Sequence, residues 1–101
     1  MDMAKKGYWI VHVDVTNPER YKDYVAANAA PLKTYGARFL VRNGDNETIR
    51  GGLEGRRHVV IEFASYAAAK ACHESPEYQA AAKIRDQAST AEFIIIEGYE
   101  G

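Results

Sequence analysis

The chain has 101 residues, 47% of them hydrophobic and 27% charged, with a formal net charge of −1. That is one domain of ordinary size with the composition of a soluble globular protein. The near-neutral balance gives no reason to expect nucleic acid, which normally demands a basic stripe, and no apolar run approaches the about 18 residues of a membrane helix. The single cysteine, Cys72, rules out an internal disulfide and a thiolate metal cluster. The start, Met1–Lys6, lacks the apolar stretch of a signal peptide, so a cytoplasmic location is expected.

In chain order, residues 8–15 alternate as a strand. Trp9, Val11, Val13 and Val15 form an apolar face, and Tyr8, Ile10, His12 and Asp14 form a mixed one. Asn17 is a helix cap, and Pro18 suits the first helical position, where no backbone donor is missed. Tyr21, Val25, Ala29 and Leu32 follow at helical spacing, with Tyr24 and Asn28 beside them. Pro31 is expected to kink or split this helix, because it removes a donor and clashes with the preceding turn. Gly36 stops it. Residues 37–43 form a second strand, followed by Asn43-Gly44-Asp45-Asn46 and a glycine-rich stretch predicting an irregular hairpin with a short extra ribbon around Glu47–Arg50. A third strand covers about 57–64, and Ser65 caps a second helix. That helix breaks near Ser75-Pro76, since the residue before a proline avoids the helical region. The restarted turns carry Tyr78, Ala81, Ala82 and Arg85 on one face. Phe93–Glu97 is the last strand.

The order β-α-β-β-α-β is that of a ferredoxin-like α+β fold: one domain over residues 7–100, with an antiparallel four-stranded sheet in the order four-one-three-two. Two interrupted helices cover one face of that sheet. Trp9, Val11, Val59, Ile61 and Phe63 then face the helices, and Ile10, Val60, Ile94 and Ile96 collect on the other face with His12, Glu62 and Arg42. So apolar a second face does not remain in water. Two copies stacked sheet to sheet across a two-fold axis hide it, which makes a homodimer the simplest assembly.

Several segments, taken together and in order, resemble a known family. They are Gly7–Val15 with Asn17-Pro18-Glu19-Arg20-Tyr21, then Tyr35-Gly36-Ala37-Arg38-Phe39-Leu40-Val41-Arg42-Asn43-Gly44, then Val60-Ile61-Glu62-Phe63, and Ser75-Pro76-Glu77-Tyr78-Gln79 with Arg85. The set is similar to the "domain of unknown function 1330" family of the dimeric α/β-barrel superfamily. The resemblance runs from Gly7 to Gly98 and implies a homodimer whose sheets close into a barrel. It implies no established activity. Where members often carry an aromatic pair before the Ser-Pro-Glu-Tyr segment, this chain has Cys72-His73.

Two polar constellations are candidates for chemistry. His12, mid-strand among hydrophobic neighbours, is either a general base or a hydrogen-bonded histidine of the barrel interior. Arg42 and Glu62 are expected beside it, as an ion pair fixing register or, with Arg42 free, as a substrate-carboxylate contact. Tyr24, Asn28 and Arg85 border helical apolar stripes and form a second set in the cleft between helices and sheet, or else Tyr24 and Tyr78 are amphipathic core edges with a wet hydroxyl. The three histidines show no metal-ligand spacing, the glycine-rich stretch lacks a phosphate-loop lysine, and no serine sits in an elbow motif. Two readings remain. One is a cofactor-independent enzyme, isomerase or monooxygenase in type, using His12 or Tyr24 for protons and an arginine for the anion of a small acidic or phenolic compound. The other is a non-catalytic ligand-binding or structural dimer. Neither requires a cofactor, a membrane or a nucleic acid.

Overall fold

Strand β1 (Gly7–Val15) lies inside the sheet because its alternation is the cleanest in the chain: Trp9, Val11 and Val13 are buried, while Ile10 and His12 are half-buried. It pairs antiparallel with β3 (Arg57–Phe63) on one side and β4 (Ser89–Glu97) on the other. Strand β2 (Arg38–Arg42) pairs with β3, giving the order β2-β3-β1-β4, the expected order read from the opposite edge. Helices α1 (Pro18–Thr34), α2 (Tyr66–Glu74) and α3 (Pro76–Ala88) cover one face. This computed structural model describes residues 5–100. The first four residues, on which the argument against a signal peptide partly rests, lie outside the described residues. Among the described residues no helix is long and apolar enough to cross a membrane. The thinnest dimension is 17 Å, one helix layer on one sheet, so the second sheet face is bare.

The caps explain where the helices begin. Asn17 Oδ1 accepts the Arg20 amide at 3.1 Å, and Ser65 Oγ accepts that of Ala68 at 3.0 Å. Ser75 serves two helices at once. Its hydroxyl donates to Cys72 O at 2.7 Å, the carbonyl that Pro76 cannot reach for lack of an N–H, and accepts the Tyr78 amide at 3.2 Å. The break expected at Ser75-Pro76 is therefore present as two separately capped helices.

The interruption expected at Pro31 is absent. Helix α1 runs unbroken to Thr34, because the proline sits in its last turn and removes one hydrogen bond near the end without dividing the helix. Its carbonyl still accepts the Tyr35 amide at 3.2 Å. The extra ribbon around Glu47–Arg50 is also absent, and residues 43–56 contain no strand. Ile49 is 84% exposed there, with no apolar surface to hold a ribbon in register. The backbone instead turns through left-handed conformations at Asn43, Gly51, Gly52 and Gly55.

Two tests follow from the packing. A Cβ on Gly7 would stand 2.4 Å from Ser65 O and 2.7 Å from Tyr66 Cα, all backbone, so β1 passes the start of α2 too closely for any side chain. Gly7→Ala is expected to lower unfolding free energy by about 1–3 kcal/mol in urea titration; an unchanged midpoint would contradict this close approach. Cys72 is fully buried, and burial pushes its thiol up to about 11. At pH 8 the native protein should label with a thiol reagent at least about a hundredfold more slowly than the unfolded chain, because only the thiolate reacts.

Candidate functional site

The helix side of the sheet holds a cleft floored by Trp9, Val11, Val59 and Phe93 and walled by Tyr21 and Tyr24 of α1. Its cavity volume is about 30 Å³, enough for two or so ordered waters. Arg42, Arg57 and Arg85 reach into the same lining, which contains no carboxylate among the described residues. Arg42 is at the rim, its guanidinium 4.2 Å from the centre of the Phe39 ring. Arg85 is deeper, its side chain 14% exposed, and lies 5.4 Å from the centre of the Phe93 ring.

Behind Tyr24 stands Tyr78, fully buried, with the two hydroxyl oxygens 2.7 Å apart. Arg85 Nη1 donates to Tyr78 Oη at 3.0 Å. A guanidinium only donates, so Tyr78 is the acceptor there and its own hydrogen is available for Tyr24. The resulting chain, Arg85 to Tyr78 to Tyr24, leaves the Tyr24 hydrogen free to donate into the cleft. Burial, reinforced by Tyr24, drives the Tyr78 pKa well up against the opposing pull of Arg85, so this hydroxyl stays protonated throughout the neutral range. Burial works against the charge on Arg85, but Tyr78, Tyr24 and Asp86 outweigh it and hold the guanidinium charged. The Tyr21 hydroxyl is raised by burial and by Tyr24, with Arg57 and Arg85 opposing.

Of the second constellation, Tyr24 and Arg85 are brought together through Tyr78. Asn28 is buried on α1 one turn beyond Tyr24 and does not line the cleft. The first constellation is divided. Arg42 does not share a face with His12 and Glu62, contrary to the alternation expected for β2. The register slips between Phe39, opposite Ile61, and Val41, opposite Val60, so Leu40 is an extra residue and Arg42 falls opposite Val59 on the helix side. Glu62 remains on the open face, where its carboxylate accepts the Tyr8 hydroxyl at 3.1 Å. His12 is there too, four residue pairs along, opposite His58.

Three participants escape a reading by helical spacing and turn signals. Arg57 was within reach, since it alternates with Val59 and Ile61 and so belongs to the helix side. Tyr78 looks like a core residue and is one, and only its hydroxyl partners reveal a second role. His73 packs against Trp9, Tyr78 and Phe93 with ring centres 6.1, 5.7 and 5.3 Å apart, filling part of the wall that an aromatic pair would otherwise supply. Burial and then Arg85 lower its pKa against the pull of Glu74, so the ring is neutral at pH 7.

Comparison with known proteins agrees with this architecture. The chain is similar in structure to the RPA0582 protein of unknown function from Rhodopseudomonas palustris, with TM-score 0.76, 17% identity, and 99% of this chain and 87% of that one covered. It is similar to SnoaB, a cofactor-independent oxygenase from Streptomyces nogalater, with TM-score 0.69, 14% identity, and 97% of each chain covered. A dimeric ferredoxin-like protein of unknown function from Jannaschia sp. CCS1 gives TM-score 0.68 at 15% identity, covering 92% of this chain and 99% of that one. At such identities the likeness establishes the ferredoxin-like fold. No curated protein matches the sequence. The sequence model of one family, described as domain of unknown function (DUF1330), matches residues 6–99, and the chain belongs to that family.

Proposed function

We propose that the protein is a cofactor-independent enzyme of isomerase or monooxygenase type, acting on a small acidic or phenolic compound held in the helix–sheet cleft. The observation that carries this reading is the aromatic cleft with three arginines and no carboxylate in its lining. A cationic, partly desolvated slot favours a flat anion, and burial strengthens each such contact relative to water. The step common to both reaction types is loss of a substrate proton to water in the cleft, which leaves an enolate or phenolate. The guanidiniums stabilise that charge, and the Tyr24 hydroxyl donates a hydrogen bond to the developing oxyanion. Tyr78 and Arg85 position Tyr24. The fold it shares with a cofactor-independent oxygenase supports the reading.

The same proposal includes a homodimer formed through the open sheet face. Leu40, Val41, Ile94 and Ile96 are each more than 40% exposed there, flanked by half-buried Ile10 and Val60. A cover of standard size, about 1,600 Å² in total, removes that patch from water.

Aromatic acids and phenols such as 4-hydroxybenzoate and hydroquinone should raise Tm in a ligand screen. Arg42→Met is expected to weaken the best ligand about tenfold with little change in stability, since Arg42 is exposed at the rim and loses only a charged contact. Equal binding after replacing both Arg42 and Arg57 with Met would overturn the anion site. For turnover, followed by oxygen uptake and by product spectra, Tyr24→Phe should lower kcat about a hundredfold while sparing binding; an unchanged kcat removes Tyr24 from the chemistry.

Sedimentation at micromolar concentration should give a dimer, and Ile94→Asp with Ile96→Asp a folded monomer. A wild-type monomer contradicts the assembly.

A further inference from the structure

We propose that His12 and His58 form a chelating site for a divalent transition-metal ion of the copper(II) or nickel(II) class. The two residues are directly opposite each other on adjacent antiparallel strands, on the open face of the sheet and away from the cleft. Their Nδ1 atoms lie 2.9 Å apart, with ring centres at 5.1 Å and ring planes at 72°. A hydrogen bond of this kind needs one ring to carry its hydrogen on Nδ1 and the other to offer a lone pair. Once the first ring moves that hydrogen to Nε2, a turn of each ring about its Cβ–Cγ bond aims both Nδ1 lone pairs at one ion beside the N···N line.

The separation decides which ion fits. Two imidazole nitrogens about 2.05 Å from an ion stand about 2.9 Å apart when they subtend a right angle, as in square-planar or tetragonal sites. At the tetrahedral angle of zinc the same bonds spread the nitrogens to about 3.3 Å. The observed spacing is the right-angle one, and copper(II) also heads the affinity series for nitrogen ligands. Strand pairing sets the two rings side by side without an ordering cost at the moment of binding, because the β1–β3 ladder is already formed.

The surroundings allow a cation. Glu92 lies opposite His12 on β4 and adds negative charge, although its carboxylate is paired with Arg56. No set of three potential ligands converges among the described residues, so each chain supplies two nitrogens, and at the polar end of the proposed interface water fills the rest of the shell. The nearby apolar side chains of Ile10 and Val60 occupy the next pair along and leave the histidines as the polar end of the patch.

The test is titration of the purified protein with copper(II), and separately nickel(II), by calorimetry, with magnesium as the hard-ion control. One ion per chain is expected for the first two and no binding for magnesium. Electron paramagnetic resonance of the copper form should show two imidazole nitrogens in the equatorial plane. His12→Gln and His58→Gln should each weaken binding at least about tenfold, since either leaves a single ligand. His73→Gln, on the helix side, should leave it unchanged. The double His12→Gln, His58→Gln variant keeps the amino terminus and reports any binding there. Wild-type affinity no greater than that of the double variant overturns the site, as does binding that survives both single changes in folded protein. Should one single variant fail to fold by circular dichroism, the other decides.

Discussion

The structure depends on one side chain, Trp9, and on one hydrogen bond from it. Its indole N–H donates to Ala69 O at 2.9 Å, tying the middle of the sheet to the middle of α2. The ring then packs against Phe63, Tyr78 and Phe93 with centres 4.8–5.0 Å apart. An indole buried to 1% exposure must place its N–H on an acceptor, so the bond fixes the ring's orientation as well as its depth. Each aromatic neighbour belongs to a different element: β3, α3 and β4. One side chain in β1 thus sets the height of two helices over three strands.

The cleft inherits its geometry from that arrangement. Tyr78 reaches Tyr24 only because its ring is wedged edge-on against Trp9, and Arg85, two turns along α3, reaches back to the same hydroxyl. The wedge is stiff at its start as well, since Ser75 caps α3 and closes α2 with one hydroxyl. At the other end of α3, Ala88 O accepts the amides of Thr16 and Asn17, so the helix bearing Arg85 is clamped to the end of β1. A site pre-positioned in this way loses little ordering entropy when a ligand arrives, which favours rigid, flat ligands over flexible ones.

Much of this was legible in the sequence. The order of elements, the helix-facing residues of β1 and β3, the caps at Asn17 and Ser65, and the break before Pro76 follow from alternation and from proline and cap chemistry acting over a few residues. The misreadings share a cause. Pro31 carries the same local signal as Pro76, but one sits in a terminal turn and the other starts a new helix, a difference set by how far the helix could run. Tyr78 reads as apolar core until its hydroxyl is placed beside two partners from distant parts of the chain. His12 and His58 are forty-six residues apart, and only the register of β1 on β3 makes them neighbours.

The bulge at Leu40 shows how one residue redistributes chemistry. Strict alternation from Phe39 would place Arg42 on the open face with His12 and Glu62. The extra residue moves it to the cleft and puts Val41 in its place on the open side. Both faces are altered by the same step. The helix side gains a third guanidinium to accompany Arg57 and Arg85, and the open side exchanges a charge for an exposed valine beside Val60. A charge on the open face would resist burial against a second copy, whereas a valine favours it. The slip therefore bears on the proposed anion site and on the proposed dimer together. Deleting Leu40 should leave both faces as they are, because Val41 then follows Phe39 in regular alternation opposite Val60 and Arg42 stays opposite Val59 on the cleft side. Loss of anion binding in a folded Leu40 deletion would contradict this register as the reason Arg42 faces the cleft.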